Sequence, residues 1–229
     1  MKNVVLRFRV TGAEDIFYPD SGRGGMEYIL VLGSYLIGSI PFGLVLGKVA
    51  GVDVRGAGSG NIGATNVARL AGKKLGVLTL VCDALKAILP MLAAAWLLEN
   101  AGQRELWVAL CGGAAFLGHL YPLYLRFKGG KGVATALGIF LYLEPAAALI
   151  GMLLFAGVVY NWGYVSLGSL TVALLMPGLI WLLSGSVNNS LLAFGIGALI
   201  WLKHRDNIER LMKHEEKSWR KKDSGSKSA

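Results

Sequence analysis

Charge is what this sequence has least of, and negative charge least of all. Only 16% of its 229 residues are Asp, Glu, Lys or Arg, against about 25% in an average soluble domain. The 14 acidic residues are outnumbered by 23 Lys and Arg, for a net charge of +9, while 54% of the chain is hydrophobic. Several apolar runs approach the roughly 20 residues needed to cross a bilayer. A soluble fold is thereby excluded, and the chain reads as an all-α polytopic membrane protein. Cysteine is nearly absent too. Cys82 and Cys111 both fall inside apolar runs, at no spacing that indicates zinc or a redox pair, and read as small core residues. Aromatic residues lie within the apolar runs and are not interleaved with the basic ones, which argues against nucleic acid as a partner.

Several chemistry-bearing patterns are missing as well. Phe127-Lys128-Gly129-Gly130-Lys131-Gly132 is no nucleotide P-loop, because Gly132 follows Lys131 where Ser or Thr is required and no strand precedes it; ATP is not expected. Ser166 and Ser169 have no G-x-S-x-G surroundings. No metal-ligating cluster and no cofactor motif occur. His119 is followed five residues later by Tyr124 where a His-x-x-x-x-Asp acid–base pair needs a carboxylate; His204 has Glu209 at that spacing, but in a basic tail. A lone histidine such as His119 is as often structural as catalytic.

What is present is a polar series between two apolar runs, Gly56-Ala57-Gly58-Ser59-Gly60-Asn61-Ile62-Gly63-Ala64-Thr65-Asn66-Val67-Ala68-Arg69. Glycine lets the backbone approach a ligand closely, successive N–H groups form a concave anion site, and an arginine fork fits phosphate oxygens. The alternative, a flexible connector, has no use for the ordered Asn, Thr, Asn and Arg.

Apolar spans are expected over 28–49, 75–98, 106–125, 165–183 and 190–202, with small residues Gly33, Gly38, Ser39, Gly43 and Gly47 allowing close helix approach in the first. Asp83 and Lys86 share a helix face inside the second, as a functional site or as a structural intrahelical pair. Residues 133–160 are one long helix or two short ones. The loops holding Lys48, Arg55, Lys73 and Lys74, the loop with Arg126, Lys128 and Lys131, and the basic tail should all face the cytoplasm. Only two helices, hinged at Glu144-Pro145, achieve that. The expectation is seven transmembrane helices, amino terminus out and carboxyl terminus in. Residues 1–25 read as an extension; the apolar run begins directly after Met26, which favours a translation start there. Residues 26–203 form the membrane domain and 204–229 a basic cytoplasmic tail. This topology gathers Arg69, Lys128, Lys131, His204 and Arg205 at one face without matching carboxylates, an anion site with room for more than one phosphate.

Four motifs then carry a resemblance. Gly58-Ser59-Gly60-Asn61-x-Gly63-x-Thr65-Asn66-x-x-Arg69, Gly118-His119-x-x-Pro122, Phe127-Lys128-Gly129-Gly130-Lys131-Gly132-Val133-Ala134-Thr135 and Lys203-His204-Arg205-x-Asn207-Ile208 resemble, in this order, the bacterial membrane glycerol-3-phosphate acyltransferases that use acyl phosphate. The likeness covers residues 26–211. It implies a seven-span inner-membrane enzyme that acylates glycerol 3-phosphate at position 1, giving lysophosphatidic acid, the first step of phospholipid synthesis, with the active site on the cytoplasmic face. It implies Ser59, Arg69, Lys131 and Ser169 as catalytic residues. Asn61, Thr65, Asn66, His119, Lys128, His204 and Asn207 would bind substrate, and Gly129 and Gly130 would lend backbone N–H groups. No metal or cofactor is implied. A transporter for a phosphorylated metabolite is the alternative from another class, but its polar groups belong near the midplane, in repeated halves.

Overall fold

The computed structural model describes residues 25–219; the expectations for residues 1–24 and for the end of the tail lie outside them. Among the described residues the secondary structure is helical. The first apolar run forms two helices, α1 (Met26–Gly38) and α2 (Phe42–Val49), where one was expected. Pro41 disfavours helical geometry at the residue before it, so the rod breaks over Ser39–Pro41. The break leaves carbonyls without intrahelical partners, and Lys86 answers one: its Nζ donates to the Ile40 carbonyl at 3.1 Å while pairing with Asp83 at 2.9 Å. Both side chains are buried. The intrahelical pair therefore has a structural task, holding the broken first rod against the next one.

That next rod, α4 (Lys73–Leu97), packs against α1, α2 and α5 (Arg104–Leu120), as well as α3 (Ala64–Ala71) and α6 (Val133–Leu143). The α1–α5 contact depends on small residues: a Cβ on Gly38 would strike the Ala115 backbone, and one on Gly118 the Tyr35 carbonyl. Gly43 and Gly47 likewise press on Ile62 and Val54, whereas Gly33 faces open space. A second group, α7 (Pro145–Trp162), α8 (Val165–Ser184) and α9 (Val187–Lys203), stacks in sequence, and α9 returns to touch α5 and α6. The chain then continues into α10 (Arg205–Met212). Phe116, Met91, Leu98, Ile139 and Ile180 fill the interior, while Leu89, Trp96, Leu153, Leu182 and Phe194 stand exposed. Large apolar side chains on the outside of a helical bundle are a lipid-facing surface.

Among the described residues, five stretches are long and apolar enough to cross a membrane: Met26–Val49, Lys73–Leu97, Arg104–Leu125, Pro145–Trp162 and Val165–Ser184. The apolar helices Val133–Leu143 and Val187–Lys203 are shorter. The hinge expected at Glu144-Pro145 is present, with Pro145 opening α7, where its missing N–H costs nothing. Glu144 Oε1 accepts from Ser184 Oγ at 2.9 Å and Asn189 Nδ2 at 2.8 Å, which ties this hinge to the α8–α9 turn at one end of the bundle. At the other end Arg55 donates to the Lys128 carbonyl at 2.6 Å, and Trp219 N–H to the Gly163 carbonyl at 2.7 Å. The loops that carry the sequence motifs meet there.

Candidate active site

The glycine-rich segment divides into a loop and the short helix α3, whose start falls at Ala64 after extended Gly63. One side chain organises the loop. Asn66 Oδ1 accepts from Ser59 N–H at 2.8 Å, and its Nδ2 donates to the Val54 and Ala57 carbonyls at 2.9 and 3.2 Å. Gly58 has φ +65°, and a Cβ there would meet Asn66 Oδ1, so no other residue fits without strain. Asn66, expected to bind substrate, thus spends both amide hydrogens and an oxygen lone pair on the loop, because the turn needs an internal template. Ser59 is left exposed at the rim, with Asn61, Thr65 and Arg69 beside it on one cavity wall.

The second glycine-rich segment, whose Gly129 and Gly130 were expected to lend backbone N–H groups to a substrate, is built as a reverse turn. Arg126 and Phe127 both adopt left-handed backbone, φ 51° and 62°, turning the chain back along the end of α5. Gly129 N–H donates to the Leu120 carbonyl and Gly130 N–H to the His119 carbonyl, at 3.2 and 3.1 Å. A Cβ on Gly129 would strike the His119 carbonyl, and one on Gly130 the His119 ring. These glycines cap the last turn of α5, whose carbonyls have no other intrahelical partner, and their N–H groups are already engaged. What the turn delivers is Lys131, one residue further on.

The cavity between the two helix groups encloses about 670 Å³, within the usual range for small-molecule sites. Ser59, Asn61, Thr65, Asn66, Arg69, His119, Lys131, Ser169, His204 and Asn207 all line it. Lys128, Gly129, Gly130 and Arg205 are not among its lining residues; Lys128 is exposed, and Arg205 is 88% exposed beside Asp206. Arg210 and Lys217 stand in the cavity wall in their place, together with Asp83 and Glu216. Asp83 was expected as part of a functional site or of a structural pair; Arg210, Glu216 and Lys217 were not anticipated. The Arg210, Glu216 and Lys217 charges occur in a run that reads as a solvated tail, yet residues 213–219 fold back as a strap. Arg69 donates to the Lys217 carbonyl at 3.0 Å, and Lys217 Nζ to the Gly58 carbonyl.

Glu216 is the centre of that strap. Its Oε1 accepts from Ser166 Oγ at 2.8 Å and Asn207 Nδ2 at 2.6 Å, and its Oε2 from Arg210 Nε at 2.8 Å. Burial pushes its carboxyl pKa up, but these donors outweigh burial and hold it below the usual carboxylate range. Asn207 Oδ1 in turn accepts from Lys131 Nζ. Burial lowers the Lys131 pKa to about 8, opposed by Glu216 and reinforced by Arg210, so the ammonium survives at neutral pH. His204 is not a cation: burial and then Lys131 push it down to about 4. Its Nδ1 lies 2.8 Å from the Ile200 carbonyl, which can only accept, so Nδ1 bears the hydrogen and Nε2 keeps a lone pair. Ser169 Oγ donates to the Val165 carbonyl at 3.0 Å. His119 Nδ1 lies 3.6 Å from Asp83.

The polar end therefore holds Arg69, Lys131, Arg210 and Lys217 against Glu216, since Lys86 neutralises Asp83. The opposite end is apolar, bounded by Phe140, Ala148, Met152, Phe155, Met176 and Ile196. Such a cavity takes a molecule with an anionic head and a hydrocarbon tail.

Known proteins share this architecture. The family model for glycerol-3-phosphate acyltransferase matches residues 28–214. A glycerol-3-phosphate acyltransferase from Desulfotalea psychrophila is 55% identical over 197 residues, which span 86% of this chain and all of that protein. Another, from Syntrophotalea carbinolica, is 50% identical over 190 residues, 82% of this chain and 95% of that protein. Among solved structures, PlsY (YgiH), an integral membrane glycerol 3-phosphate acyltransferase, superposes in its glycerol 3-phosphate form with a TM-score of 0.78 at 43% identity. Its lysophosphatidic acid form gives 0.76 at 42%, and both cover 84% of this chain and 94% of that one.

Proposed function

The chain belongs to the glycerol-3-phosphate acyltransferase family, and from that premise we propose that it transfers a fatty acyl group from acyl phosphate to the 1-hydroxyl of glycerol 3-phosphate, releasing lysophosphatidic acid and phosphate. The observation that carries this reading is the single cavity joining a cationic end to an apolar one. Glycerol 3-phosphate has no hydrocarbon chain and would use only the polar half; an acyl phosphate uses both. The cations also lie at one end of the bundle, which favours transfer at a membrane surface over passage across it.

An acyl phosphate is a mixed anhydride with a good leaving group, so no covalent enzyme intermediate is needed. The hydroxyl oxygen attacks the carbonyl carbon, the bond from carbonyl carbon to phosphate oxygen breaks, and the hydroxyl proton passes to a phosphate oxygen of the donor. Holding the two substrates together contributes roughly 7–11 kcal/mol. Arg69 and Lys131 follow the negative charge as it moves from carbonyl to departing phosphate. Ser59, Ser169, Asn61 and Thr65 orient the oxygens, and the neutral His204 accepts a hydrogen bond at Nε2. Counting α6 and α9 as crossings gives seven spans, and the excess of Lys and Arg in the 50–74, 126–131 and 203–217 segments favours the cytoplasmic side of the membrane for the cationic end, in keeping with a bacterial inner-membrane enzyme.

Purified protein in detergent micelles, given acyl phosphate and labelled glycerol 3-phosphate, should release lipid-extractable label that is lysophosphatidic acid. A transporter leaves the label water-soluble in the absence of sealed vesicles, and that result would end the proposal.

A further inference from the structure

Glu216 lies two residues beyond the segment that the family model matches, in a tail whose charges read as surface. Its side chain is nevertheless 7% exposed and joins three parts of the site. Ser166 of α8 and Arg210 of α10 fix the carboxylate, and Asn207 spans the gap between it and Lys131. A carboxylate only accepts hydrogen bonds and an ammonium only donates them. The Asn207 amide can satisfy both neighbours in one orientation alone, with its nitrogen toward Glu216 and its oxygen toward Lys131.

We propose that Glu216 is a positioning residue of the transfer site, locking the Asn207 amide so that its oxygen faces Lys131 and setting a negative charge within reach of that ammonium. The proposal rests on the acyl-transfer reading of the cavity. When a substrate phosphate draws the Lys131 ammonium toward itself, the bond from Asn207 to Glu216 persists. The Asn207 oxygen then stays turned to the same place, and Lys131 moves between two fixed acceptors.

The charge of Glu216 has a second effect. The groups acting on Lys131 are Glu216 and Asp206, which favour its proton, and Arg210 and Arg69, which oppose it; His204 is neutral, pushed down to about 4. Without the Glu216 carboxylate the cations prevail, and the Lys131 pKa falls further below its present value of about 8. A reaction that needs the ammonium then fails at lower pH.

The test is the pH dependence of kcat and KM with acyl phosphate and glycerol 3-phosphate. The proteins compared are wild type, Glu216→Gln, Glu216→Asp and, as a surface control, Glu215→Gln, at an exposed position. Glu216→Gln keeps the size and loses the charge; its alkaline limb should move to lower pH by about one unit, with kcat at neutral pH down by about tenfold. Glu216→Asp keeps the charge and withdraws it from Asn207, so kcat should fall while the limb stays where wild type has it. Glu215→Gln should match wild type throughout. Lower activity with an unmoved limb in Glu216→Gln would make Glu216 a mere fastening of the strap and overturn the proposal, as would a wild-type profile. Should Glu216→Gln fail to insert, Glu216→Asp decides with its unfolding temperature beside its kinetics: a lowered kcat on an unmoved limb at a wild-type unfolding temperature supports the proposal, whereas full activity, or a kcat loss that accompanies a lowered unfolding temperature, refutes it. Wild-type protein with no acyl transfer at all would instead remove the functional reading beneath it.

Discussion

An ammonium shut in beside other cations holds its proton less firmly than one in water, and Lys131, brought down to about 8 by burial, is such a group. On the proposed function such a group has a use, since a phosphate arriving in a dehydrated pocket gains more from a nearby cation than it would in water. Truncating either of the two cations proposed to face the transferring phosphate should therefore cost catalysis far more than folding. Lys131→Ala and Arg69→Ala are each expected to lower kcat/KM at least about a hundredfold, about 2.7 kcal/mol of transition-state stabilisation. Steady-state kinetics on protein with a wild-type unfolding temperature would check this, and wild-type activity would remove that residue from the site. These two cations were legible because a glycine-rich setting between apolar runs has few other uses. Asn66 was half legible: its type and place pointed to the loop, but a side chain that templates a turn and one that binds a ligand look alike in sequence. Glu216 was not legible, since Glu215-Glu216-Lys217 reads as a solvated face until the strap closes.

Between helices the same scarcity of charge gives each buried ion a definite task. Asp83 and Lys86 are buried together in α4, and Lys86 also holds the Ile40 carbonyl at the break between α1 and α2. Removing one member leaves the other as an uncompensated buried charge, which typically costs about 3–5 kcal/mol. Lys86→Met should lower the unfolding temperature in detergent well below wild type, and Asp83→Asn on that background should recover part of the loss; an unchanged melting curve would show that the broken rod does not depend on the pair. Sequence reading set the pair on one helix face but not its target, because the break that presents the Ile40 carbonyl was itself missed. Pro41 was visible, yet the apolar character continues across it and masks the interruption. At Glu144-Pro145 a charge accompanies the proline, and that break was found. Helix α3 was missed for the opposite reason, as eight residues between Gly63 and Gly72 are too few for periodicity to stand out against a polar loop.

Taken whole, the molecule is two helix groups leaning together over one cavity, with its charge collected at one end and hydrocarbon at the other. This partition bears on the choice of acyl donor. A thioester would bring its carbonyl to the same place, but the charge of its leaving thiolate sits on sulfur and not on the phosphate oxygens that Arg69 and Lys131 are proposed to meet. An acyl phosphate develops charge on phosphate oxygens beside those cations, so the stabilisation grows as the bond breaks, the condition for catalysis as opposed to mere binding. The expected proton acceptor and the expected charge stabilisers belong to the substrate and to side chains, and the proposed reaction assigns no step to a metal ion. Activity with acyl phosphate should therefore survive EDTA, and acyl-CoA and acyl carrier protein should give negligible rates. Initial rates with each of the three donors, with and without chelator, decide the matter. A thioester rate comparable to that with acyl phosphate would mean that the cations serve only to bind glycerol 3-phosphate. Loss of activity on chelation, restored by added metal, would mean that an ion shares the work assigned to Arg69 and Lys131.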